Sequence, residues 1–264
     1  MDTPRISASS YSNTAPLIWS FLYGRERGNV ELIMDNAPAR SAELLSQGRV
    51  DAALVPVFAY QSIDGARLIP DVCVGAKEKV RSVCLVTRGG ELASSRKVAL
   101  DTSSRTSAGL TQIIFREFLA VEPEWQASPP NIDQMLDYAD AALIIGDPAL
   151  ALSADPAYRT FDLVELWRSF TGLGFIFAMW MTVRENVVID FAGARDEGLA
   201  HSSEIAVNYA DQIGLSVQEM QTYLTRDITY TPDDSMTEGM ALYFRLAEKH
   251  GLIQANQPLL FANS

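Results

Sequence analysis

The amino-acid sequence predicts an α/β protein of two lobes with a ligand cleft between them. Three observations lead there. Apolar strand-like runs alternate with segments of helical spacing over residues 5–150. Two segments echo each other, residues 51–56 (DAALVP) and 140–145 (DAALII), each after a short helix and each ending in a turn. The last third, by contrast, carries helical apolar spacing at residues 197–212, 216–224 and 236–250. A chain that starts in one lobe, crosses to a second and returns accounts for all three. It predicts residues 1–88 plus 180–264 as the first lobe and 89–179 as the second, joined by a two-strand hinge.

The elements follow in order. Residues 5–8 read as a first strand that runs into a polar loop at 9–13. Thr14, Ala15 and Pro16 open a helix, because Pro suits a first turn and Asn13 or Thr14 can cap it; Gly24 stops it. Residues 30–34 form a second strand, and 39–47 a helix closed by Gly48. The continuous apolar run 50–57 suits a strand covered on both faces. Residues 80–87 and 97–100 read as further strands, the polar stretch 101–107 as a loop, and Leu110, Ile113, Ile114 and Phe118 as one face of a helix. Three prolines make 121–131 a loop, 132–138 is one or two helical turns, and 141–145 is a buried strand ending at Gly146-Asp147-Pro148. In open α/β sheets ligands sit beyond the carboxyl ends of the strands, which places the cleft among these loops.

Composition narrows the partners. The 264 residues include 48% hydrophobic and 20% charged residues, an ordinary globular balance that does not fit disorder. Thirty-three acidic residues against 21 basic ones leave a net charge of -12. An acidic chain without a Lys/Arg block repels nucleic acid and anionic membrane surfaces, so neither is an expected partner. The N-terminus lacks a basic stretch followed by an apolar run, and residues 173–183 are too short to span a bilayer. Cys73 and Cys84 make no disulfide framework and suit a reducing, cytoplasmic setting, each as a small buried residue. Nothing fixes the oligomeric state as monomer or dimer.

Four short constellations carry chemistry. Tyr11-Ser12-Asn13-Thr14-Ala15-Pro16 sets an amide and hydroxyls at a helix N-terminus, a ready carboxylate site or simply a capped helix. Ser103-Ser104-Arg105-Thr106-Ser107 gathers four hydroxyls and an arginine where first turns favour Asp or Glu, which suits an anion cradle as well as an ordinary serine cap. Gly146 permits close approach of backbone to a ligand, and Asp147 orients a hydroxyl, accepts a proton or caps the next helix. Arg81 before Ser82 is a carboxylate clamp or a surface arginine. His201 and His250 show no metal-ligand spacing, and G-x-S-x-G, GxGxxG and P-loop motifs are absent, so nucleophilic triads, metals and nucleotide cofactors are not expected.

These segments, in this order, resemble the chorismate dehydratase family of the futalosine route to menaquinone. The resemblance runs through SYSNTAPL (10–17), GRVDAALVPV (48–57), VRSV (80–83), DTSSRTS (101–107), IIGDPAL (144–150) and the stretch 167–180, and it loosens beyond about Arg184. Gly174 stands where the family commonly has Pro after Thr-Gly-Leu, which predicts a looser backbone there. The resemblance implies a type II periplasmic-binding-protein-like fold. It also implies conversion of chorismate to 3-[(1-carboxyvinyl)oxy]benzoate and water, with no metal and no organic cofactor. Carried over by motif, it implies Asn13 and Asp147 as catalytic residues, and Tyr11, Thr14, Val57, Arg81, Ser82, Ser104, Thr106, Ser107 and Gly146 as substrate-binding ones. Two helix N-termini match the two carboxylates of chorismate. For proton abstraction, Asp147, Asp101 and the enolpyruvyl carboxylate of the substrate, positioned by Asn13, are the candidates. The alternatives are a 1,4-dihydroxy-6-naphthoate synthase-like enzyme and a non-catalytic small-anion binding protein. A regulator's sensor domain would need a helix-turn-helix for which no residues remain.

Overall fold

A computed structural model describes residues 3–35, 38–152 and 156–263. The chain builds β1 (Arg5–Ser9), α1 (Ala15–Leu22), β2 (Glu31–Asp35), α2 (Pro38–Ser46), β3 (Ala52–Pro56) and β4 (Arg67–Ala76), then crosses. There it forms β5 (Val83–Thr87), β6 (Lys97–Asp101), α3 (Arg105–Ile113), β7 (Glu124–Ser128), α4 (Ile132–Tyr138), β8 (Ala141–Ile145), α5 (Asp147–Leu152), β9 (Arg159–Asp162) and α6 (Leu163–Thr171). It returns through β10 (Phe175–Thr182) and ends in α7 (Phe191–Ala200), α8 (Ser202–Ile213), α9 (Val217–Thr222) and α10 (Asp234–Lys249).

Two five-stranded sheets result, in the orders β2-β1-β3-β10-β4 and β7-β6-β8-β5-β9. In each sheet four strands run the same way and one interior strand, β10 or β5, runs antiparallel to both its neighbours. The echoing segments hold the same place: β3 pairs with β1 as Ile6 to Ala52, and β8 pairs with β6 as Val98 to Ala141. Their apolar continuity follows from burial, since Ala52–Val55 and Ala141–Ile144 are almost wholly covered.

The sheets change over before the expected boundaries. β5, expected in the first lobe, pairs with β8 and β9 in the second sheet, and β10 starts at Phe175 and pairs with β3 and β4 in the first. An apolar strand reads alike for either sheet, so pattern alone does not assign it. The expected strand 80–87 begins only at Val83, and the loop expected at 121–131 contains β7. Its prolines flank the strand, and β7 lies at a sheet edge where only β6 pairs with it.

Helices after β10 brace both crossings. Lys77 pairs with Asp233 at 2.9 Å, ahead of α10. Gly174, the position of the predicted loosening, is instead held tightly: its N–H donates to Ser235 Oγ at 3.1 Å, and its carbonyl accepts from Trp167 Nε1 at 3.2 Å. A Cβ on Gly174 would meet Met236 at 2.7 Å, and one on Gly239 would meet the Gly174 carbonyl at 2.1 Å. A proline could not make the bond to Ser235, so glycine here exchanges ring stiffness for close packing of α10.

Candidate functional site

The carboxyl ends of β1, β3 and β8 and the start of α3 converge on a cavity between the sheets. Its apolar walls include Leu54, Val74, Val83, Ile145 and Phe177, and its polar groups are Ser9, Tyr11, Asn13, Thr14, Ser82, Ser104 and Ser107. Among the described residues no charged side chain lines it. Its interior is about 70 Å³, counted as the space reached by the centre of a water molecule. That admits a few waters.

The first unit contributes the loop after β1. A short 3-10 turn, Ser12–Thr14, leads into α1 with Pro16 in its first turn. No side chain caps α1. Thr14, expected as a cap, turns its Oγ1 to the carbonyls of Ser9 and Tyr11 at 2.6 and 2.8 Å, which tightens the loop and leaves Asn13 facing the cavity. In the second unit Ser104 caps α3: its Oγ accepts the Ser107 N–H at 3.1 Å and donates to Ser107 Oγ at 3.0 Å.

The units meet at the cleft mouth. Ser12 Oγ donates to Asp147 Oδ1, and Ser12 N–H approaches Oδ2 at 3.4 Å. The Tyr11 ring lies on Gly146, where a Cβ would sit 3.1 Å from it and where φ is +67°. Both facts require glycine at 146. Burial pushes the Asp147 carboxyl up from the usual carboxylate range, opposed by its bonds to Ser12. Burial likewise raises the Tyr11 phenol, against a hydrogen bond with Ser103. Asp101 accepts the Ser103 N–H at 2.8 Å; burial raises it too.

Between β4 and β5 the chain makes a tight turn. Ser82 N–H donates to the Val80 carbonyl at 2.7 Å across Arg81, whose φ is +58°. A γ-turn of this hand is rare and strained. Asp162 sustains it by accepting the N–H groups of Val80 and Arg81 at 2.9 and 2.6 Å while capping α6 through Val164 and Glu165. The Ser82 carbonyl accepts the Gly146 N–H at 2.7 Å, so the turn is tied to the cleft mouth as well.

The cavity thus gathers Tyr11, Asn13, Thr14, Ser82, Ser104, Ser107 and Gly146 of the residues singled out from sequence. It leaves four aside. Asp147 holds Ser12 at the mouth. Arg81 turns to Asp227, 3.4 Å from Oδ2, rather than into the cleft as a clamp. Thr106 accepts the Phe58 N–H at 3.1 Å and so joins the units, and Val57 is fully buried; neither lines the cavity. Arg105 is exposed, with its guanidinium 5.3 Å from the Phe58 ring centre, and faces another pocket with Glu43 and Ser103. Sequence reasoning missed Ser9, Val80 and Phe177, and also Tyr223 behind the wall. Strand-end position was the available signal for Ser9; Tyr223 offered none, since it sits in a helical apolar pattern far along the chain.

Two sheets of matched topology, crossed twice and closing on a cavity at their strand ends, define the two-lobed periplasmic-binding-protein-like class. Solved structures agree in fold. A protein from Archaeoglobus fulgidus superposes with a TM-score of 0.69 at 16% identity, covering 94% of this chain and 98% of its own. The periplasmic aliphatic sulphonate binding protein of Escherichia coli gives 0.65 at 17%, covering 99% and 94%. The model of a family described as menaquinone biosynthesis matches residues 4–249, and the chain belongs to that family. It is 30% identical over 236 residues to the chorismate dehydratase of Thermus thermophilus, with 81% of this chain and 84% of that protein covered. Among the described residues no helix is long and apolar enough to cross a membrane, and no three His, Cys, Asp or Glu side chains gather as a metal site.

Proposed function

We propose that this protein is a chorismate dehydratase, a hydro-lyase that works without cofactor. The carrying observation is the cavity itself: neutral donors Asn13, Ser82 and Ser107, the last receiving the Ser104 hydroxyl proton, around apolar walls. A flat ring bearing two carboxylates matches that pattern. Hydroxyl and amide donors hold each carboxylate, and Leu54, Val74 and Phe177 pack the ring.

The reaction breaks the bond to the ring hydroxyl and the neighbouring ring C–H. The acceptor takes the ring proton, the C–O bond to the hydroxyl breaks, and the departing oxygen takes up that proton to leave as water while the ring becomes aromatic, which drives the step. The protein's task is to orient the substrate and to exclude bulk water. We assign the acceptor role to the enolpyruvyl carboxylate of the substrate, held by Asn13. Asp147 suits the acceptor role poorly, being engaged by Ser12 and outside the cavity lining. Each sheet with its helices is taken as a lobe, and the cleft opens and closes about residues 77–82 and 172–174 around the substrate. The buried free thiols of Cys73 and Cys84 fit the reducing cytoplasm.

Incubation of the purified protein with chorismate, without added metal or cofactor, tests this by chromatography with mass detection. Appearance of 3-[(1-carboxyvinyl)oxy]benzoate is the expected result. Chorismate that binds but is recovered unchanged would make the protein a cleft binder and not an enzyme.

A further inference from the structure

We propose that Tyr223 is a positioning residue that sets the polarity of the cavity wall, so that Ser82 presents its hydroxyl proton to a carboxylate of the ligand. The proposal rests on the dehydratase reading for its substrate. Tyr223 lies outside the cavity, fully buried, in a π-helical turn (Tyr223–Asp227) that follows α9. Such turns recur at functional sites. Its phenol donates to Ser82 Oγ at 2.8 Å. A phenol has a single proton, and here it is committed to Ser82. Ser82 Oγ, having accepted from Tyr223, keeps its own proton for the cavity that it lines. The result is a one-way bond from Tyr223 to Ser82 that leaves the Ser82 proton for the ligand.

The same π turn holds the opposite side of the Val80–Ser82 turn. Asp227, buried, lies 3.4 Å from Arg81 Nη1 and 3.8 Å from Lys79 Nζ. A strained turn persists only where its surroundings over-determine it. Here Asp162, Gly146, Asp227 and Tyr223 all hold three residues, two of which, Val80 and Ser82, line the cavity. That investment makes sense for a donor whose direction matters. It also explains why Arg81 is unavailable as a carboxylate clamp: its charge serves the turn, and the neutral hydroxyl next to it serves the ligand.

A double-mutant cycle on chorismate turnover tests this bond, using Tyr223→Phe, Ser82→Ala and the pair. Tyr223→Phe keeps the ring and removes only the proton donor. It is expected to lower kcat/KM about 10- to 100-fold, mainly through KM, because the carboxylate is gripped before and during the reaction. The double variant is expected to be no worse than the poorer single one. Tyr230→Phe is the control: that phenol is buried without a hydrogen-bond partner among the described residues, and its loss should leave turnover unchanged. Wild-type kcat/KM in Tyr223→Phe, or losses that multiply in the double variant, would overturn the proposal. If the wild-type protein binds chorismate without converting it, only the dehydratase reading falls, and the same cycle is read on Kd. Failure to bind chorismate at all overturns both.

Discussion

In the first unit β1 runs through Ser9 to α1, and in the second β6 runs through Asp101 to α3. Both helices start beside the cavity, and both strands sit between matched neighbours. Even the edges agree: Asp51 accepts the Arg5 N–H at 2.6 Å, and Asp140 accepts the N–H groups of Arg96 and Lys97 at 2.8 and 3.0 Å. The helix starts differ. α3 is capped by its own Ser104, whereas α1 has no side-chain cap and carries Asn13 in the turn before it. One end meets its own hydrogen-bonding needs and offers hydroxyls as secondary partners. The other is left open for what enters the cleft. Matched topology therefore does not mean matched roles, and the proposed function assigns the reactive end of the substrate to the first unit.

The largest expected effect tests that asymmetry. Asn13→Ala should lower kcat on chorismate at least about 100-fold while leaving the fold intact, since a lost orienting group costs rate more than stability. Normal turnover would remove Asn13 from its role. Next is the joint between the units. Asp162→Ala leaves four backbone N–H groups without their acceptor and should destabilise the protein by about 2–4 kcal/mol in urea unfolding. Ser104→Ala, the counterpart test in the second unit, should cost about 1 kcal/mol of stability through the lost cap and only a few-fold in turnover.

Asp147→Asn separates a latch from a base. It should keep kcat within a few-fold and raise KM, whereas a general base would lose several orders of magnitude in kcat. The smallest effect lies far from the cleft, where Glu117 of the second unit receives Lys249 Nζ at 2.7 Å and His250 Nε2 at 2.8 Å. The bond from Lys249, then that from His250, holds its carboxyl below the ordinary glutamate value. A depressed value contributes stability above the ordinary range and loses it as pH falls through the lowered one. Glu117→Gln should flatten the acid limb of the stability curve, by about 0.5 kcal/mol.

Much of this layout is legible in the sequence where local pattern and tertiary role coincide. The runs at β3 and β8 are buried on both faces, so their apolar continuity declares them, and their echo announces the paired units. β4, with Pro70 inside it, and β7, bracketed by Pro123 and Pro129, are edge strands, where the ladder tolerates what propensity forbids. The site divides the same way. The polar runs near Asn13 and Ser104 mark loops at strand ends. Which side chains of those loops turn inward depends on partners remote in sequence: Asp227 draws Arg81 away, Phe58 engages Thr106, and Tyr223 orients Ser82.

A crystal structure with the bound product, 3-[(1-carboxyvinyl)oxy]benzoate, tests the division of labour between the units most directly. The account predicts the carboxyvinyl carboxylate against Asn13 and the ring carboxylate toward Ser104 and Ser107. Product lying in the reverse orientation, or outside this cavity, would contradict it.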